Sequence, residues 1–196
     1  MDDRNFPRPS DIPRAADGFS VNDGLEPSDG IPAEAGWKID VVDRTEDSAA
    51  GTQRLAEVSG CVLRDEGVAH AEISVAVVDD AEMSRLHADF LQIEGPTDVL
   101  TFPLEGDSLE AWAGPIDARR GSGRRICGEV VIGGDMAVRV AGELGSPPSE
   151  EVILYLVHGL LHLCGYDDLD DLQRGQMRRR EAELLELLEV TARVDA

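Results

Sequence analysis

The run SPPSEEVILYLVHGLLHLCGYDD, from Ser146 to Asp168, is the most apolar of the chain, yet it carries two histidines four positions apart and closes on paired aspartates. Any fold must bury this run and still give those polar groups something to bind. Its opening residues start a helix: Ser146 as the cap, prolines tolerated in a first turn, then Glu150 and Glu151 facing the positive end of the helix dipole. On a helix, residues four apart stand one above the other, so His158 and His162 project from one face at a separation that a single metal ion bridges. Imidazole is the commonest ligand for zinc-like ions. Gly165 can take a left-handed backbone, end the helix and let the chain fold back to present Asp167 or Asp168 to the same ion. Two histidines, one carboxylate and an open position make up a catalytic rather than a closed structural site.

Histidines at this spacing, taken alone, equally describe a hydrogen-bonded core pair; the whole pattern H-x3-H-x2-G-x2-D favours the metal. Cys164, two residues past His162, points to nearly the opposite side of the helix and reads as a packed core thiol. His70 and His87 carry no spacing signal and read as surface or hydrogen-bonded side chains. Metalloproteases with HExxHxxGxxH use the glutamate as general base; here Gly159 takes its place, which argues against peptide hydrolysis by that route. The glycine is expected to clear space beside the metal for a bulky substrate.

The rest of the chain is organised around this helix. Residues 1–36 hold Pro7, Pro9, Pro13, Pro27 and Pro32, scattered acids and few large apolar groups, so a disordered N-terminal tail is expected, followed by one domain over 37–196. WKIDVVD from Trp37, Ile73 to Val78, DVLTFPL from Asp98 and ICGEVVIGG from Ile126 read as strands. Ser48 to Asp65, with Leu55, Val58, Val62 and Leu63, reads as a helix, as do DDAEMSRLHADFL, with Met83, Leu86 and Phe90 on one face, and Asp135 to Leu144. A last helix spans about Asp170 to Ala192, with Leu172, Leu184, Leu185 and Leu188 inward. The Gly-rich, charged stretch 105–125 reads as a mobile loop. Strands that bunch early and helices that bunch late predict an α+β fold, a small mixed β-sheet covered by helices, with the metal site at a helix end.

Charge limits the partners. Lys and Arg total 18 against 40 Asp and Glu, a formal net charge of -22, so broad neutralisation of a phosphate backbone is disfavoured and DNA binding is not expected. Any RNA contact has to be local or metal-assisted. No apolar run is long enough to cross a bilayer, no secretory signal opens the chain, and three cysteines without CxxC spacing (Cys61, Cys127, Cys164) suit reduced thiols, which together point to the cytoplasm.

HGLLHLCGYDD resembles the HGxLHLxGYDH signature of the YbeY family of bacterial endoribonucleases and ribosomal RNA maturation factors. LHADFLQIEGPTDVLTFPLE, from Leu86, resembles that family's segment leading into PTDVLSFP, and GEVVIGGDMA, from Gly128, its next strand and helix start; the likeness runs in order over about 37–190. The resemblance implies a zinc-like ion held by three side chains and hydrolysis of single-stranded RNA, particularly the 3′ end of small-subunit ribosomal RNA. It makes His158, His162 and Asp168 the metal ligands and catalytic set, with Asp168 where the family usually has a third histidine. Carboxylate oxygen binds zinc at similar length; the set also fits iron or manganese. A second departure is Leu91, which follows Phe90 where the family commonly has an arginine. Arg85, the loop cluster Arg119, Arg120, Arg124 and Arg125, or Arg178 to Arg180 are the possible substitutes for its charge. Asp167 and Glu129 are candidate bases, and Thr97 and Asp98 cap the turn into a strand or serve catalysis.

The expected function is thus a metal-dependent endoribonuclease of ribosomal RNA maturation and ribosome biogenesis, with one divalent ion, zinc first, and single-stranded ribosomal RNA and small-subunit proteins as partners. The rival from another class is a ribosome-associated binding module that keeps its ion but has weakened catalysis; a metal hydrolase acting on peptides is the third.

Overall fold

The computed structural model describes residues 37–45, 49–106 and 119–192. The expected N-terminal tail and most of the expected loop at 105–125 lie outside those residues. Among the described residues the order is β1 (Trp37–Asp43), α1 (Thr52–Asp65), β2 (His70–Val78), α2 (Asp80–Leu91), β3 (Val99–Gly106), β4 (Arg125–Gly133), α3 (Gly134–Leu144), α4 (Pro148–Leu163) and α5 (Asp171–Leu187). The strands form one mixed sheet in the order β1-β2-β4-β3, parallel except for β3, which runs antiparallel to β4. This is the α+β sheet-and-helix architecture expected. No described helix is long and apolar enough to cross a membrane.

Strand alternation divides the core. Ile73, Val75 and Val77 of β2 and Val130 and Ile132 of β4 face one side, where the core continues into α1 and α4, with α5 packed on α4. Ala76, Val78, Leu100 and Val131 face the other, under Met83 and Leu86 of α2. Three helix ends have an identifiable cause. Asp79 and Asp170 cap α2 and α5 by accepting from the backbone N–H of Glu82 and Gln173, and Gly145 (φ 71°) closes α3. Five sequence expectations change. Ser146 is not the cap of α4; the cap position is Pro147, and the Ser146 hydroxyl donates to Glu151 instead. α1 begins at Thr52, with 46–48 outside the described residues, and β2 begins three residues earlier than expected, at His70. α5 stops at Leu187, and Glu189 turns left-handed just beyond it (φ 56°). Leu172 is 66% exposed: with α5 starting at Asp171, Met177 takes the inward phase together with Leu184 and Leu185.

α4 is the central helix, and its contact with the sheet depends on two glycines. A Cβ on Gly159 would stand 2.7 Å from Val130 Cγ1, 3.1 Å from Thr101 Oγ1 and 3.3 Å from Val99 Cγ2. A Cβ on Gly128 of β4 would stand 2.6 Å from Leu163 Cδ2. Gly159 therefore brings helix and sheet into contact, which corrects the expectation that it opens room beside a metal.

Candidate metal centre

Along α4 nearly every residue from Glu151 to Leu163 is buried; the half-buried exceptions are Leu154, His158 and His162, one stripe at a spacing of four. The histidines thus occupy the strip that sheet and helices cover only in part. That resolves the conflict between an apolar helix and its polar residues. After α4, Gly165 turns left-handed (φ 96°) and folds the chain back. One donor atom each from His158, His162 and Asp168 then lies within 4.8 Å of the other two, and the two Nε2 atoms are 3.0 Å apart.

The outer nitrogens of both rings are engaged. Nδ1–H of His158 donates to Glu181 Oε1 at 2.6 Å, and Nδ1–H of His162 donates to the Tyr166 carbonyl at 3.2 Å. This tautomer leaves both Nε2 lone pairs directed at Asp168's side of the site, the arrangement that orients imidazole ligands. Burial works against charge on His158, but the hydrogen bond and charge of Glu181, joined by Asp98 and Asp168, outweigh it and raise its pKa above the ordinary imidazole value. His162 goes the other way: burial, then the neighbouring His158, lower its pKa against the pull of Asp168. The donor set, with its outer atoms already satisfied, fits one divalent cation.

Tyr166 ties this turn to the core. Its hydroxyl donates to the fully buried Glu66, which also accepts from Arg180 Nε at 2.6 Å. Arg120 stacks over the Tyr166 ring at 4.7 Å and donates to the Gly165 carbonyl. Arg124 donates to the Cys164 carbonyl, and Arg119 reaches the Asp65 carbonyl and side chain. Arg119, Arg120, Arg124 and Arg180 are therefore braces of the site, not a free basic patch. Cys164 is fully buried, and burial followed by the Glu66 charge pushes its thiol pKa far up.

A groove of about 510 Å3 opens beside the triad, lined by apolar Met136, Val140, Leu154 and Tyr155 and by polar Thr97, Asp98, Glu151, His158, Asp168, Arg174, Arg178 and Glu181. Asp98 caps β3, accepting from Val99 N–H and the Thr97 hydroxyl, so these two residues shape the turn and line the groove at once. Glu129 is not in the site. It shares strand parity with Val131 and so faces α2, while His158 lies on the Val130 side. Asp167 accepts from the Asp168 N–H, which shapes the turn. Leu91 packs with Phe90 and Phe102 against the α2-side cluster, and Arg85 is exposed on α2 beside Glu82. His87 is hydrogen-bonded to the Gly95 carbonyl, and His70 is half-buried at the start of β2. Sequence reasoning did not find Glu181 or Tyr166; only the docking of α5 and the turn at Gly165 bring them to the rings.

A family profile described as "Endoribonuclease YbeY" matches residues 40–189. Proteins of that name from Pelotomaculum thermopropionicum and Corynebacterium diphtheriae are 41% identical over 142 residues and 34% identical over 149 residues. The alignments cover 71% and 76% of this chain, and 88% and 74% of those proteins. A solution structure of a Thermotoga maritima protein aligns with a TM-score of 0.50 at 22% identity, covering 78% of this chain and 92% of its own, a likeness of fold. The match spans the sheet, the histidine helix and α5, and on that extent the chain belongs to the YbeY family.

Proposed function

We propose that the protein is a metal-dependent endoribonuclease that cuts single-stranded RNA, with ribosomal RNA, in particular the 3′ end of the small-subunit RNA, as its substrate in the cytoplasm. The observation that carries this reading is the convergence of His158, His162 and Asp168 donors within 4.8 Å at the end of a groove, in a chain whose family relatives are named endoribonucleases. His158, His162 and Asp168 would hold the ion, with zinc the first choice for two imidazoles and a carboxylate. When bound, such an ion supplies Lewis acidity toward a phosphodiester and lowers the pKa of water.

The chain's own residues do the rest. Glu181 and the Tyr166 carbonyl fix the tautomers of the two ligand histidines. Partial burial of the triad beside apolar side chains lowers the local dielectric and strengthens each charge there. Of the two candidate bases, Asp167 remains: its charge reaches His162, whereas Glu129 is across the sheet. To test the reading, purified protein and His162→Ala are assayed by elemental analysis and on ribosomal RNA fragments. One equivalent of metal and cleavage in the parent, both lost in the variant, are expected; cleavage that survives His162→Ala would refute it.

One observation favours a second reading, a ribosome-associated module with weakened catalysis: Leu91 puts an apolar side chain, packed on the α2 side, where the family commonly has an arginine. Metal uptake and ribosome binding without RNA cleavage would support it.

A further inference from the structure

Arg174, Arg178 and Glu181 of α5 follow at steps of four and three, so they share one helix face. Arg174 donates to the Asp168 carbonyl at 3.0 Å, and Glu181 holds His158 at 2.6 Å. The residue between them on that face therefore lies against the same triad, and Arg178 lines the groove with Thr97, Asp98, His158 and Asp168. Its two neighbours go elsewhere: Arg179 is exposed, and Arg180 is buried in its pairs with Glu66, Asp65 and Glu183.

Arg178 is half-buried and makes no hydrogen bond or ion pair with any described residue. The acids that line the groove already have other duties: Glu181 holds an imidazole, Asp168 completes the triad, Asp98 accepts from the Thr97 hydroxyl and the Val99 N–H, and Glu151 accepts from the Ser146 hydroxyl. A guanidinium kept without a protein partner beside a cation-binding set, in a chain of net charge -22, is placed for an anion that arrives with the substrate. Its planar fork matches two oxygens of one phosphate. The apolar wall formed by Met136, Leu154 and Tyr155 is left for the adjoining sugar and base.

We propose that Arg178 is a substrate-binding residue that grips an RNA phosphate on the groove wall facing the His158, His162 and Asp168 triad. This rests on the ribonuclease reading and names the residue that holds the chain being cut. It also answers the Leu91 departure, since it supplies a cation from a different element.

The test measures binding of a fluorescent 12-nucleotide single-stranded RNA to metal-loaded protein across a salt series, together with cleavage and metal content, for Arg178→Ala, Arg178→Lys and Arg179→Ala. A lost charge-assisted contact weakens binding by roughly 10- to 100-fold. One lost phosphate contact lowers the slope of log affinity against log salt by about 0.7 for single strands. Arg178→Ala should show both with metal content and melting temperature unchanged, Arg178→Lys should recover part, and Arg179→Ala should match the parent. Parent-like affinity and slope in Arg178→Ala, while the parent cleaves RNA, would overturn this proposal and leave the ribonuclease reading intact. An equal loss in Arg179→Ala would mean a general charge effect, and loss of metal in Arg178→Ala a positioning role; either overturns the proposal. A metal-loaded parent that neither binds nor cleaves RNA would overturn both.

Discussion

Replacing Gly159 by alanine separates two views of the helix that carries the histidines. In an open helix interior, glycine to alanine gains about 1 kcal/mol. Gly175 of α5 has no heavy atom within 4 Å of an added Cβ, so Gly175→Ala should show that gain. At Gly159 the same methyl group meets Val130 Cγ1 at 2.7 Å, with Thr101 and Val99 at 3.1 and 3.3 Å. Val130 is β-branched, fully buried and on an interior strand, so it yields only if the strand or α4 shifts. Overpacking of this kind costs about 1–3 kcal/mol. Taking about 2–3 for this contact and subtracting the propensity gain leaves a net loss of about 1–2 kcal/mol. The gap between the two variants is then about 2–3 kcal/mol, or roughly 4–12 °C in melting temperature for a chain of this size. Thermal melts of metal-free protein at neutral pH, with urea titrations as the second measure, read it directly. A Gly159→Ala variant that melts at or above Gly175→Ala would show that helix and sheet do not touch there, and that the glycine is spare room beside the site.

Three further outcomes are expected. Arg180→Met strands the carboxylate of Glu66, which is fully buried, and should cost about 3–5 kcal/mol in urea unfolding; adding Glu66→Leu should restore much of it. Glu181→Ala should weaken metal binding about 10- to 100-fold by calorimetry, because His158 loses the acceptor that fixes its ring, and Glu181→Gln, which keeps an acceptor oxygen but no charge, should lose less. Glu129 has its pKa raised by burial, against the opposing charge of Arg44. The unfolded chain therefore loses that proton first, and this residue's contribution is full below its unfolded pKa and falls as pH rises through the folded one. Glu129→Gln should accordingly melt higher than the parent at pH 7 and lose that advantage near pH 4; an equal gain at both values would contradict the sign.

The triad was legible because its donors lie within eleven residues of one another, on one helix and the turn that ends it. Local geometry alone carries such a pattern. The relation of that turn to α5 was not, because Glu181 and Arg178 reach the site through packing that no short motif encodes. The arginines of 119–124 illustrate the same limit: composition marks them as basic, but whether each guanidinium turns to solvent or to a carbonyl depends on Gly165, Cys164 and Asp65, which are distant in sequence. Glu129 was a different kind of miss. Strand alternation already grouped it with Val131, but apolar residues on both faces of β4 hid which face belonged to α4.

The edge position of β3 has a consequence for how the molecule lives among its copies. Among the described residues β3 pairs only with β4, so its outer side presents a ladder that a foreign strand could extend. Pro103 removes one donor from that strand, and the register slips between Pro103 and Glu105. A docking strand meets a missing rung and a kink together. The rim that begins at Thr97 is thereby guarded against sheet-to-sheet stacking in crowded solution, and stays open to a polymer that approaches through side chains instead of backbone.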